Sequence, residues 1–240
     1  MKITDIKAIP ISLPMTKPLK MAGFVFNSSD NVLVKVSTDN GLVGWGEASA
    51  APGMTGETIE SMVAAINYLT PFFIGRDPSE FSGNLSLMDF RLYGNASAKT
   101  LLEMAFYDIA GKAQQKTVAE LLGTVKRSKM PVLWMLASGK LEEDLKDAGQ
   151  KLEEGFKSFK IKVGTNPVAE DVERSIRIRD LVNGEVQLSA DANQGWSREK
   201  AVDFVKNVGE TLDFVEQPIL GSDVEGMALI QRNSKVDIGA

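Results

Sequence analysis

Apolar and polar positions alternate with a period of two early in the chain and with a helical period later, and that change divides the sequence. Val32, Val34 and Val36 share one face of a run over 31–37, with Leu33 and Lys35 on the other, which predicts a half-buried strand. Asp39-Asn40-Gly41 follows. Asn-Gly tolerates positive φ, so it predicts a hairpin into a partner strand over 42–47. An Ile-rich stretch over 2–13, closed by Pro14, predicts an earlier strand. Thr55 is the expected N-cap of a helix over 57–70. Leu102, Ala105, Phe106, Ile109 and Ala113 form the apolar stripe of a longer helix from Ser97 to Ala113.

The polar segment 123–129 (GTVKRSK) predicts a boundary, after which strand and helix alternate. An apolar strand over 131–137 is followed by a helix with Leu141, Leu145, Ala148 and Leu152 at helical spacing and Gly155 as its stop. Strands over 158–163, 186–191, 212–216 and 236–239 then alternate with helices over 168–182, 198–208 and 223–233. Repeated β-α units imply a parallel sheet with helices outside. The expected fold is an α+β N-terminal domain over 1–125, followed over 126–240 by a partial (β/α) barrel of the TIM type with about five of eight strands.

Composition removes several classes of function. The formal charge of −5 argues against a nucleic-acid partner, which needs a basic face. With no cysteine and no histidine, the chain holds no disulfide, no thiolate or His-ligated metal site and no Ser-His-Asp triad. No apolar run approaches the roughly 18 residues of a membrane span. The N-terminus reads as a strand rather than a signal peptide, and a cytoplasmic setting is expected.

Buried parallel strands normally read as continuous Val/Ile/Leu runs. Three strands here depart from that toward their C-terminal ends. Lys160 and Lys162 share one face of FKIKV, while Ser189, Asp191 and Asn193 share one face of the next strand and its end. The fourth strand ends Val215-Glu216-Gln217-Pro218. Singly, a Lys-x-Lys is usually a solvated edge, an Asp at a strand end usually a cap, and a Glu before Gln-Pro a loop residue. Jointly they put lysines, an Asp-Asn pair and a Glu at successive strand ends, where (β/α)₈ barrels keep their active sites. Two carboxylates on adjacent strands make a hard-oxygen site suited to Mg²⁺. Lysines beside it offset negative charge and can serve as bases.

FKIKVG at 159–164, SADANQGW at 189–196, VEQP at 215–218 and VDIGA at 236–240 resemble the enolase superfamily, in its muconate-lactonizing and mandelate-racemase branches. GWGEAS at 44–49 and EMAFYDIAG at 103–111 are similar to that family's capping domain, so the resemblance covers essentially the whole chain. It implies Asp191 and Glu216 as Mg²⁺ ligands and Lys162 as the base that removes a proton α to a carboxylate. It also implies Lys160 as the lysine that tunes the base and Asn193 as a polar support beside the metal. Family members stabilise the resulting enediolate with Mg²⁺ and cationic groups. Substrate choice is implied to lie in two capping-domain loops, here Thr16–Ser28 and Ser49–Glu57, with Phe24, Phe26 and Met54 as an apolar lid. Glu47 can belong to the hairpin rather than the site, and Trp134 is expected in the core.

The family's third metal ligand lies in a GADE-like motif on the fifth barrel strand. Asp191 and Glu216 lie 25 positions apart, and the same step falls one position past Ala240. The expectation is therefore a C-terminally truncated chain, with an uncovered sheet edge met by a homo-oligomer or another contact, and weak or no activity in this form. The implied activity is a Mg²⁺-dependent cycloisomerase, racemase or epimerase acting on a small carboxylate. The Lys-x-Lys with an apolar middle residue leans toward the muconate-lactonizing branch. A dehydratase of a hydroxy acid or hydroxylated amino acid, and a catalytically inactive fragment, are the alternatives.

Overall fold

The computed structural model describes residues 1–21, 24–184 and 186–239, and the side chains of residues 17–21, 24 and 26 stand outside that description. It falls into two compact units, one of Met1–Pro18 with Phe26–Ser128 and one of Leu19–Val25 with Lys129–Ala240.

The first unit is built on strands β1 (Ile3–Met21), β2 (Phe24–Thr38) and β3 (Val43–Ser49), which form a sheet in that order, the end of β1 from Leu19 and the start of β2 to Val25 falling to the second unit; helices α1 (Ile59–Phe73), α2 (Phe81–Arg91), α3 (Ala96–Gln114) and α4 (Val118–Leu122) follow. β2 and β3 are antiparallel, with Val34 opposite Gly46 and Val36 opposite Gly44. Gly41 takes φ +82° in the turn between them, and its N–H donates to the Thr38 carbonyl over 3.1 Å. Glycine adopts that conformation without a Cβ penalty. Val32, Val34 and Val36 are fully buried in a core with Met62, Ile66, Leu69 and Phe73 of α1 and Leu101, Leu102, Ala105, Phe106 and Ile109 of α3. The rings of Phe73 and Phe106 meet at 5.5 Å.

Several boundaries differ from the sequence reading. β1 runs to Met21 rather than stopping at Pro14, and β2 begins at Phe24 rather than at 31, so most of Thr16–Ser28, expected as a loop, is strand. Proline donates no ladder hydrogen bond. β1 is an outer strand of the sheet and so accommodates Pro10 and Pro14. The cap of α1 is Thr58, not Thr55: its side chain accepts from Ser61 N–H over 3.2 Å while Ser61 Oγ accepts from Thr58 N–H over 2.8 Å. That reciprocal pair satisfies two otherwise orphan donors. Ala113 is exposed, and the buried stripe of α3 ends at Gly111. α2 was not expected, because FSGNLSLMDFR carries little helical periodicity. It is anchored by the buried Asn84, which accepts from Arg76 Nε (2.8 Å) and donates to the Asp77 carbonyl (2.9 Å).

The second unit runs β4 (Trp134–Leu136), α5 (Leu141–Glu153), β5 (Ser158–Lys162), α6 (Val168–Val182), β6 (Gln187–Asp191), α7 (Arg198–Val208), β7 (Phe214–Glu216), α8 (Val224–Asn233) and β8 (Asp237–Gly239). The five strands lie in sequence order, and every neighbouring pair is parallel. β4 and β7 are three residues each, shorter than the expected 131–137 and 212–216. Leu136, Ile161, Ala190, Val215 and Ile238 occupy one register row, and the first four are fully buried in a core with Ile178, Phe204 and Ile230 of the helices. Among the described residues no helix is long and apolar enough to cross a membrane.

A buried charge cluster joins α5 to α6. Arg174 Nε lies 3.5 Å from Asp144 Oδ2, and Arg174 Nη2 lies 3.3 Å from Asp171 Oδ1. All three side chains are within 2% of complete burial.

Two stability predictions follow from these packings. A Cβ on Gly46 would sit 2.0 Å from the Leu101 carbonyl oxygen, and one on Gly44 would sit 2.2 Å from that of Ala105, so β3 lies backbone-to-backbone on α3. Gly46→Ala is therefore expected to lower the unfolding free energy by about 2 kcal/mol or more. Urea denaturation checks this, and a loss below about 0.5 kcal/mol contradicts the close approach. The second concerns Asp171. Burial pushes its carboxyl above the ordinary value of 3.8, against the pull of the Gly164 N–H and the Arg174 charge. A folded-state pKa above the unfolded one means the folded state binds more protons in the window opening at 3.8, so this group's contribution to stability falls as pH rises through that window. Wild-type unfolding free energy minus that of Asp171→Asn should accordingly decrease with rising pH. A difference that is flat or increases would contradict the burial effect.

Candidate active site

The parallel register brings three ionisable groups to one height. Lys162 of β5 is the partner of Asp191 of β6, which is in turn the partner of Glu216 of β7. Neighbouring strands stand about 4.8 Å apart, so these side chains emerge side by side. The period of two puts Lys160 and Ser189 on the same face one step lower, while Ile161, Ala190 and Val215 point into the helix-covered core.

Lys162 Nζ donates to Asp191 Oδ2 and to Asn193 Oδ1, each over 2.6 Å. The backbone N–H of Asn193 donates to the other Asp191 oxygen over 2.8 Å. Lys160 Nζ reaches diagonally across to Glu216 Oε2 at 2.5 Å. The first pair is the more enclosed: the Asp191 side chain is 3% exposed, against 37% for Glu216. Removing one member of the enclosed pair would leave an uncompensated buried charge, whereas water screens the outer one.

The chain turns sharply just past these strand ends. Asn193 (φ 44°), Gln194 (φ 67°) and Gln217 (φ 41°) all adopt left-handed backbone conformations. The Gln194 N–H donates to the Gln217 carbonyl and the Gln217 N–H to the Gly239 carbonyl, both over 2.8 Å. Non-glycine residues in that region carry strain, and such residues cluster at functional sites. These turns were not anticipated from the sequence. The available signal was an Asn-Gln-Gly and a Gln-Pro placed directly after strand-end carboxylates.

Of the residues singled out in the sequence, Lys160, Lys162, Asp191, Asn193 and Glu216 therefore converge. Met54 is exposed in a turn of the first unit. The side chains of Phe24 and Phe26 lie outside the described residues. Glu47 accepts from Asn31 Nδ2 over 2.7 Å across the β2–β3 pair. Trp134 turns toward α5, donating to Asp147 Oδ2 over 2.8 Å and meeting Phe156 edge-on at 5.3 Å.

The candidate metal ligands at the row and just past it are all oxygens: the carboxylates of Asp191 and Glu216 and the Asn193 amide oxygen. Among the described residues no group of three or more His, Cys, Asp or Glu side chains is gathered as a metal site. Mg²⁺ keeps several waters and is commonly held by one or two carboxylates, whereas Ca²⁺ takes six to eight oxygens. The donor set thus fits Mg²⁺ better than Ca²⁺, and suits neither zinc nor a soft metal.

Comparison with known proteins agrees across both units. Residues 4–123 match the model for the mandelate racemase / muconate lactonizing enzyme N-terminal domain, and residues 143–240 match the enolase C-terminal domain-like model. The N-succinyl-L-Arg/Lys racemase of Bacillus cereus is 34% identical over 99% of this chain and 64% of its own. Its crystal structure superposes with a TM-score of 0.92 at 32% identity, over 99% of this chain and 65% of that one. The L-Ala-D/L-Glu epimerase of Clostridium acetobutylicum is 35% identical over 100% of this chain and 68% of its own. A dipeptide epimerase from Enterococcus faecalis, solved in complex with Mg and the dipeptide L-Leu-L-Tyr, gives a TM-score of 0.90 at 27% identity, over 99% of this chain and 67% of that one. The chain thus spans about 64% of the length of the Bacillus cereus racemase.

Proposed function

As this chain belongs to the mandelate racemase / muconate lactonizing enzyme family, we propose that its row of strand-end charges serves Mg²⁺-assisted removal of a proton α to a carboxylate. The observation that carries the reading is the single register row of Lys162, Asp191 and Glu216, which sets a potential base beside two potential metal ligands.

In this reading Asp191 and Glu216 would hold the cation. Asn193 keeps Asp191 oriented through its backbone N–H and offers its amide oxygen to Lys162. Lys162 takes the α-proton with Nζ. The positive charge of Lys160 attracts the substrate carboxylate and offsets the second carboxylate of the row. A Mg²⁺ ion held there would supply further positive charge where negative charge develops as the proton leaves, the principal barrier for so weak an acid. Returning the proton to the opposite face gives racemisation or epimerisation; in a lactone, expulsion of the ring carboxylate from the β-carbon by the enediolate, or the reverse closure followed by protonation from Lys162, gives cycloisomerisation. The racemase and epimerase named above favour an N-acylated amino acid or dipeptide as substrate, while muconate cycloisomerase 1 of Acinetobacter baylyi, 31% identical, keeps a dicarboxylate in view.

The test is solvent exchange. In ²H₂O with Mg²⁺, proton NMR of N-succinyl-L-arginine, L-Ala-L-Glu or the lactone of muconate should show loss of an α-proton signal. Lys162→Ala should slow that exchange by about 10²- to 10⁴-fold, the usual worth of a general base. Asp191→Asn should abolish the Mg²⁺ binding heat in calorimetry. Exchange unaffected by Lys162→Ala removes Lys162 as the base, and Mg²⁺ binding unaffected by Asp191→Asn removes that carboxylate as a ligand.

A further inference from the structure

The buried guanidinium of Arg174 donates through Nη2 to the backbone carbonyl of Lys162. Among the described residues its Nε and Nη1 atoms have no hydrogen-bond partner, although Asp144 and Asp171 stand at ion-pair distance. The pairing of β4 with β5 ends at Leu136 and Ile161, so the Lys162 carbonyl lies one residue past the ladder, and the arginine binds it there. Asp171 continues the grip on the other side. Its Oδ2 accepts from the Gly164 N–H over 2.8 Å, where the chain leaves β5 at φ +93°. Asp144 fastens the cluster to the preceding turn, accepting from Ser138 N–H over 3.1 Å and from Ser138 Oγ over 2.7 Å. Two backbone groups bracketing the end of the Lys162 strand are thus gripped by side chains of α6, and α6 is tied to α5.

Burying one guanidinium among two carboxylates is a poor way to gain stability, since apolar packing of similar volume often does as well or better. What the cluster provides is position. A side chain is aimed by its backbone, and an error of about an ångström in a reacting group is enough to lose much of its effect. We propose that Arg174, held by Asp144 and Asp171, is a positioning residue that fixes the end of β5 and so aims Lys162 Nζ at Asp191 and Asn193. The aim matters for turnover only on the reading of Lys162 as the base.

The test uses the full chain labelled with [ε-¹³C]lysine, with the Lys162 signal assigned by its loss in Lys162→Arg. Well below the melting temperature, Arg174→Met and Asp171→Asn should each displace or broaden the Lys162 signal, and exposed Lys140 and Lys235 should not move. Asp171→Asn leaves an oxygen for the Gly164 N–H while turning a neutral amide toward Arg174, so it loosens the guanidinium without emptying the site. If both variants are folded and the Lys162 signal is unmoved, the proposal is overturned. If neither variant folds, the cluster is purely structural and the proposal is likewise overturned. If the signal moves yet Lys162→Ala leaves α-proton exchange of N-succinyl-L-arginine unchanged, the aiming of Lys162 stands and its role as the base falls. If the signal moves and the exchange rate drops at least tenfold in Arg174→Met with KM little changed, both stand.

Discussion

The parallel register of β5, β6 and β7 is the constraint on which the site depends. Side chains alternate across a strand, so sliding β6 by one residue would turn Asp191 into the helix-covered core and bring Ala190 to the site. That slip is opposed by the apolar row of Leu136, Ile161, Ala190 and Val215, each fully buried. The charged row and the apolar row are therefore one device: burial of the second sets the height of the first. Hydrophobic burial, worth about 25 cal/mol per Å², indirectly brings like and unlike charges close together.

The N-terminal unit follows a related logic at the backbone. Gly44 and Gly46 lie on alternate positions of β3, and the carbonyls of Ala105 and Leu101 occupy the space where Cβ atoms would be. The sheet can then approach α3 closely, leaving Val32, Val34 and Val36 in a dry core. The glycines of GWGEAS are explained by packing, without appeal to the site.

Much of this was legible in the sequence where one local rule dominates. Alternation marked the β2–β3 hairpin, Asn-Gly marked its turn, and repeated β-α periods marked the parallel sheet. Lysines and carboxylates breaking otherwise apolar strands marked the candidate site only jointly, since each alone has an ordinary structural reading. What escaped depends on contacts distant in sequence or weak in pattern. α2 is held by Asn84 bonding to Arg76 and Asp77 rather than by an amphipathic stripe. The continuation of β1 past Pro14 depends on an outer place in the sheet that no local signal reveals. Arg174, Asp144 and Asp171 read as ordinary helix charges, and only the packing of α5 on α6 shows them buried together. The left-handed turns at Asn193, Gln194 and Gln217 are likewise set by hydrogen bonds between neighbouring strand ends.

The central claim is that one register row is both a metal site and a proton-transfer site. Crystals grown with Mn²⁺, an oxygen-preferring stand-in for Mg²⁺ with a usable anomalous signal, test it most directly. The account predicts an anomalous peak contacted by carboxylate oxygens of both Asp191 and Glu216, with Lys162 Nζ on the same face. A peak elsewhere, or no peak at that row when Mn²⁺ is saturating, would contradict it.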